Sequence, residues 1–359
     1  MNHCNAGFFA QVQFALNQIQ YAERHGLVPV VEFGSDSVDG PNAFYEEAAG
    51  PNVWEYYFEP IGGVAPAEAR RAASQGGRRI WALDYWELWR LHWHDPRSVF
   101  TYPYGYYERV RDRASRPDER WWRDQRAKGR DLVARHVRVR PEILAKVDAF
   151  QTARFTPHML GVHARGTDKG DTGTGAALAR VVPPEEYFPL IDRHLADHPD
   201  DRIFFATDQR QFVERMRERY GDRLVTYDSQ RSDSTVNVFQ QLAPAGRGNR
   251  AKGEDVLIDA LLLSRCDALL KCTSAVGEFA QYFADDLPTV DLNVAGVPTS
   301  PRRTIRGVAR NVKWWLHAVA TRVWFEQLGR GIVDAESSIR PHRLYDTNQF
   351  EPQSSPSTS

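Results

Sequence analysis

The chain has 359 residues, 42% of them hydrophobic and 26% charged, with 46 Lys and Arg against 47 Asp and Glu. That length and composition support a large core and suit two domains in one body, while the even charge balance excludes a basic nucleic-acid surface. Only Cys4, Cys266 and Cys272 are present, with no CxxC spacing, which excludes a disulfide framework and a zinc knuckle. No apolar run approaches eighteen residues, and no basic stretch leads into an apolar one at the start, so a cytoplasmic chain with no membrane span is expected.

Gly7 to Phe9 reads as a glycine-led loop, and Gln11–His25 as a helix with Val12, Ala15, Leu16 and Ile19 on one face. Gly26 stops it, and Leu27–Phe33 reads as a buried strand. Trp81 to Tyr107 is crowded with Trp, Tyr and His, which suits either core or an acceptor groove. His92 and His94 form an HxH pair without a third ligand nearby, so packing is the expected role. Asp118 to Lys146 reads as a helical arm interrupted at Pro141.

The second half is more regular. Strands are expected at Met159–His163, Arg202–Thr207, Arg223–Tyr227 and Ala268–Cys272. Helices are expected at Pro184–Leu195, Gln209–Tyr220, Glu254–Ser264 and Ser274–Phe283. This alternation predicts an α/β fold with a doubly wound parallel sheet. A further helix is expected over Ile305–Leu328, and the Ser-, Pro- and Gln-rich stretch from Asn348 to Ser359 reads as a disordered tail.

Ligands of such a sheet sit beyond the carboxyl ends of its strands. Three strand ends carry polar residues there: His163–Lys169, Thr207–Asp208 and Cys272–Ser274. In the first, Arg165 offers a fork of donors suited to phosphate, Lys169 adds a point charge, and Gly166 permits close backbone approach. An anion site and a surface loop with Asp168 paired to Arg165 both fit these residues alone.

Leu160–Lys169 (LGVHARGTDK) resembles the first motif of the fucosyltransferase superfamily that holds α1,6-fucosyltransferases, rhizobial nodulation fucosyltransferases and protein O-fucosyltransferases. Phe204–Asp208 (FFATD) resembles its second motif, and Leu257–Ser274 (LIDALLLSRCDALLKCTS) its third region, in the same order. The resemblance implies the GT-B arrangement, two Rossmann-like domains with a cleft between them. The expected division is an acceptor-side domain with its helical arm at 1–150, a GDP-sugar-binding domain at 151–302, a helix packing back at 303–347, and the tail at 348–359. The resemblance also implies a GDP-sugar donor, with L-fucose the expected sugar, and a glycan or natural-product hydroxyl as acceptor. His163 and Arg165 match nucleotide contacts, with Arg165 on the diphosphate, and Lys169 matches a phosphate neighbour. Asp259 matches the acid that reads guanine, Ser274 or Thr273 a hydroxyl on the β-phosphate, and Gly7 and Phe8 a loop facing the donor. Asp168 and Asp208 complete the expected donor-side set, Asp208 as an organiser of the cleft.

The sequence departs from the α1,6-transferases in two places: Gly166 stands where they have a second Arg, and Gly173 where they have the Glu proposed as base. Asp171 is the nearest acid and becomes the candidate base, with Asp168, Glu185 and Glu186 as alternatives. Glu185 and Glu186 also suit a helix N-terminus. No DxD strand end is present, so metal-independent transfer assisted by Arg165 and Lys169 is expected, with no cofactor, and the fucosyltransferase reading carries the expectation of inversion. Two alternatives remain: the same scaffold with another nucleotide-sugar donor, and a catalytically silent nucleotide- or glycan-binding protein.

Overall fold

The computed structural model describes residues 7–24, 26–37, 40–76, 80–81, 119–167, 181–244, 246–293 and 332–333. Asp168, Lys169, Asp171 and Gly173 lie outside them, as do His92, His94, the aromatic stretch after Trp81, the helix expected over 305–328 and the tail.

Helix α1 spans Phe8–Arg24, so the expected glycine-led loop contributes Phe8 and Phe9 to a first helical turn. Both rings are buried, which draws that turn into the core. Residues 27–34 form no strand, which corrects the strand expected there. Part of their backbone bonds instead to a side chain: Asn52 Oδ1 accepts from Phe33 N at 2.9 Å, and Asn52 Nδ2 donates to Val31 O at 3.1 Å. A side chain that satisfies backbone groups in this way takes the place of a ladder. Two-residue strands β1 (Asp36–Ser37) and β2 (Gly40–Pro41) pair antiparallel, α2 spans Pro66–Gly76, and β3 (Ile80–Trp81) pairs antiparallel with β9 (Ile332–Val333).

The helical arm is two helices, α3 (Glu119–His136) and α4 (Pro141–Arg154), with Pro141 in the first turn of α4, where its missing N–H costs nothing. Beyond it runs the main sheet. Its strands are β4 (Met159–Ala164), β5 (Arg202–Thr207), β6 (Leu224–Val225), β7 (Ala268–Lys271) and β8 (Thr289–Asp291), all parallel, in the order β6-β5-β4-β7-β8. The chain winds outward from β4 to β6, then crosses back to β7. The strand order therefore reverses between β4 and β7, the crevice where open α/β sheets bind ligands.

Strand alternation sorts the side chains onto two faces. Leu160, Val162, Ile203 and Phe205 pack with Tyr187 and Ile191 of α5 (Pro184–Asp197) and with Phe212 and Met216 of α6 (Arg210–Tyr220). Met159, Phe204, Ala206 and Leu269 face α7 (Gly248–Leu263) and α8 (Ala275–Phe283), where Leu257, Leu261 and Phe279 join them. The same cluster takes in Phe8, Phe9, Leu16, Trp54, Tyr57 and Phe58, so the first half packs onto the α7–α8 face. Gly253 is the contact point: a Cβ there would lie 2.4 Å from Tyr57 Oη and 3.0 Å from Phe8 Cδ2.

Candidate active site

A cavity of about 330 Å³ opens at the carboxyl end of the sheet, between α1 and the strand ends. Its walls include Gly7, Phe8, His163, Arg165, Asp208, Asp259 and Ser274, expected site residues from four separate segments of the sequence. Thr273 does not line it: its hydroxyl turns to Asp291, 3.4 Å away, and its N–H donates to Asn293 Oδ1 at 2.6 Å. Of the two hydroxyls, that of Ser274 is the one on the cavity side.

The strand-end loop after β4 is fastened to its neighbours. Asp208 Oδ1 accepts from Gly166 N at 2.9 Å, and Asp208 Oδ2 accepts from Thr167 Oγ1 at 2.5 Å. Arg165 Nη2 donates to Asn237 Oδ1 at 3.3 Å, and its Nε lies 3.9 Å from Asp208 Oδ2. Asp208 thus spans backbone, hydroxyl and guanidinium, and Arg165 is held at the cavity wall.

His163 is buried on the face toward α8, and its Nδ1 lies 3.5 Å from Ser274 Oγ. Burial, with the charges of Arg165 and Lys271, lowers its pKa to about 3, so the ring is neutral at ordinary pH. Cys272, 3.9 Å from Nδ1, has its thiol pushed up to about 11 by burial, which leaves no thiolate–imidazolium pair. Ser274 caps α8, its Oγ accepting from Gly277 N at 3.4 Å, and Ala275 and Val276 of the first turn line the cavity. The positive end of the α8 dipole therefore faces the cavity, a setting that suits an anion. Glu278 in that turn adds no opposing field, because Lys271 Nζ lies 2.6 Å from it and Arg126 3.3 Å.

Helix α7 supplies a polar stripe of Lys252, Asp255 and Asp259 at helical spacing. Lys252 Nζ donates to Phe239 O at 3.2 Å and Gln241 O at 3.1 Å, and burial lowers its pKa. Asp255 Oδ2 accepts from Gln230 N at 2.8 Å. Asp259 Oδ2 accepts from Ser229 Oγ at 2.9 Å, while its buried Oδ1 has no hydrogen-bond partner. Burial raises the Asp259 pKa to about 7. An unpaired carboxylate oxygen in a cavity is an acceptor waiting for a donor.

Phe44, Ser229, Gln230, Asn237, Phe239, Lys252 and Asp255, which no motif marks in the sequence, also line the cavity. Asp255 and Lys252 had a signal in their spacing to Asp259, but the helix expected from Glu254 starts at Gly248. Glu185 and Glu186 occupy the first turn of α5, and Glu185 pairs with Arg215 at 3.3 Å, away from the cavity. Among the described residues, no three His, Cys, Asp or Glu side chains gather as metal ligands, and no helix is long and apolar enough to cross a membrane.

The model of the nodulation protein Z (NodZ) family matches residues 118–300, just over half of the chain. The chain belongs to the NodZ family. Its matched segment holds β4 to β8 and every cavity residue except those from the first half. Nodulation protein Z of Bradyrhizobium diazoefficiens is 28% identical over 184 residues, which cover 49% of this chain and 48% of that protein. The chain thus spans about half the length of the curated relative it matches. Among solved structures, a NodZ α-1,6-fucosyltransferase soaked with GDP-fucose aligns at 18% identity and a TM-score of 0.43, covering 81% of this chain and 94% of that one. The apo form of POFUT1 aligns at 12% identity and a TM-score of 0.44, covering 80% and 95%.

Proposed function

We propose that this NodZ-family protein is a glycosyltransferase that moves a sugar, L-fucose, from a GDP-sugar to the hydroxyl of a glycan or natural-product acceptor. The observation that carries the reading is the junction of three features in one cavity. Ser274 caps helix α8 with neutral His163 beside it, Arg165 lines the same cavity, and the buried Asp259 Oδ1 has no hydrogen-bond partner. A guanine N1–H and exocyclic amine suit Asp259, and a diphosphate suits Arg165, Ser274 and the α8 amides. This fits a GT-B division into residues 1–150 and 151–302, with α4 as the helix that links them.

The demanding part of transfer is departure of the diphosphate, on which negative charge grows as the glycosidic C–O bond breaks. Arg165, the Ser274 hydroxyl and the α8 dipole are fixed before that charge develops, so they stabilise it without reorganisation. Metal-free, inverting transfer is the mechanism we favour. Lys169 as a further phosphate contact, Asp168 as its neighbour and Asp171 as the acceptor's base belong to this proposal on the sequence alone.

The test is incubation with GDP-fucose and a panel of glycans, following GDP release and mass gain, in chelator as well as buffer. Arg165→Ala is expected to lower turnover by about two to three orders of magnitude, since one such donor is worth about 3–4 kcal/mol. Near-normal turnover by Arg165→Ala would overturn the role of this arginine. GDP binding without any release or transfer would favour the silent binder.

A further inference from the structure

The turn from Tyr227 to Arg231 closes the Asp259 end of the cavity, and one cation holds it from behind. Arg231 Nη2 donates to Tyr227 O at 2.7 Å, and Nη1 donates to Ser229 O at 3.1 Å. The Ser229 hydroxyl donates in turn to Asp259 Oδ2. On the other side of the turn, Arg247 Nη2 donates to Asp255 Oδ1 at 2.6 Å and Nη1 to Asp228 O at 3.1 Å. With the Gln230 N–H on Asp255, the turn is pinned at four successive residues. One oxygen of Asp259 is committed to Ser229, and the buried Oδ1 has no hydrogen-bond partner.

We propose that Arg231 is a positioning residue for nucleobase recognition: by gripping the carbonyls of Tyr227 and Ser229 it fixes the Ser229 hydroxyl on Asp259 and keeps Asp259 a charged acceptor for guanine. The inference rests on the reading of this cavity as a GDP-sugar site. Guanine brings two adjacent donors, N1–H and the 2-amine. Oδ1 and the remaining lone pair of Oδ2 can accept both only when the carboxyl is ionised. Burial opposes that ionisation. The Arg231 charge and the Ser229 hydrogen bond favour it, and the Asp255 charge opposes it. Lys252 lies two turns away on the same helix with its pKa lowered by burial, Asp255 one turn away is itself raised by burial, and His163 is neutral above about pH 3.

The sign follows. Asp259 binds guanine in its ionised form, so GDP affinity rises as pH rises through about 7 and levels off above it. Without the Arg231 charge the Asp259 pKa rises further, and the affinity curve moves to higher pH. A brace without an electrostatic part would weaken binding equally at every pH.

The experiment is calorimetric titration of the full chain with GDP, and with IDP, which lacks the 2-amine, from pH 5.5 to 8.5, below the ionisation of the base N1–H. Wild type is expected to show a midpoint near 7. Arg231→Gln is expected to shift it upward by about one pH unit, which is about fivefold weaker binding at pH 7 and about tenfold at pH 6, with recovery toward pH 8.5. It should also reduce the preference for GDP over IDP. Arg231→Lys keeps the charge without the fork, and should restore the midpoint while leaving a lower plateau. If Arg231→Gln does not fold, Ser229→Ala carries the test and must move the midpoint the same way. An unchanged midpoint, or a loss uniform across pH, overturns the role of Arg231 while leaving the GDP site intact. Absence of GDP binding by wild type at every pH overturns the donor-site reading, and this inference with it.

Discussion

Asp259 is 7% exposed, and burial pushes its carboxyl from 3.8 up to about 7. A pKa raised on folding means a contribution to stability that is full below about 4 and is lost as pH rises through 7. At pH 8 the folded chain therefore carries a buried carboxylate that works against it. Asp259→Asn keeps an acceptor for Ser229 and removes the charge. It is expected to be more stable than wild type by about 1–4 kcal/mol at pH 8, the gap shrinking as pH falls toward 4. The same variant should bind GDP about 10- to 100-fold more weakly, as one charged hydrogen bond is worth about 1.5–3 kcal/mol. Urea unfolding at two pH values and a GDP titration read both effects. A variant less stable at pH 8 would contradict the cost of the buried charge, and one that binds GDP normally would place Asp259 outside base recognition. His163 supports the same picture from the other side, since a neutral imidazole beside Ser274 brings no charge that a shift toward acid would switch on before about pH 3.

At the scale of elements, α7 joins the two halves. Its N-terminus has no side-chain cap of its own, and Glu46 of the first half accepts from Arg250 N at 2.9 Å in that role. Asn249 Nδ2 donates to Tyr45 O at 3.1 Å, and Tyr57 Oη donates to Arg250 O at 2.9 Å. One turn on, Gly253 leaves room for the Tyr57 and Phe8 rings. Gly253→Ala places a Cβ where Tyr57 Oη already stands. It is expected to cost about 1–3 kcal/mol of stability by overpacking, despite the better helix propensity of Ala. Chemical denaturation checks this, and unchanged or higher stability would show that the two halves do not meet at Gly253.

The same elements show what the sequence makes legible. β4, β5 and β7 were readable because short apolar runs end in polar loops, and α5, α6 and α8 because of their spacing and first-turn residues. The edge strand β8 was not, because Thr289–Asp291 is three residues long and half of its neighbours are turn formers. Leu27–Phe33 had the composition of a strand, yet Asn52 satisfies part of its backbone from 19 to 21 residues away. Asp259, Arg165 and Ser274 were found through their motifs. Ser229, Gln230 and Asn237 sit in an irregular stretch between β6 and α7, where no periodicity marks them and only tertiary hydrogen bonds give them a place.

Across the whole molecule, the cavity exists because residues far apart in sequence share one core. Phe9 stacks on Phe279 with ring centroids 4.4 Å apart, which holds the N-terminus of α1 against α8. Phe8 packs edge-on to Phe44 at 5.7 Å, and Phe44 lies 6.3 Å from Phe239, so an aromatic wall closes the side of the cavity formed by the first half. The wall, the anion end and the base end are therefore fixed relative to one another by packing. A crystal structure with GDP bound tests this arrangement most directly. Guanine is expected to donate to Asp259, with the β-phosphate within hydrogen-bond distance of Arg165 and of Ser274 at the N-terminus of α8. GDP bound elsewhere, or in this cavity with its base away from Asp259, would contradict it.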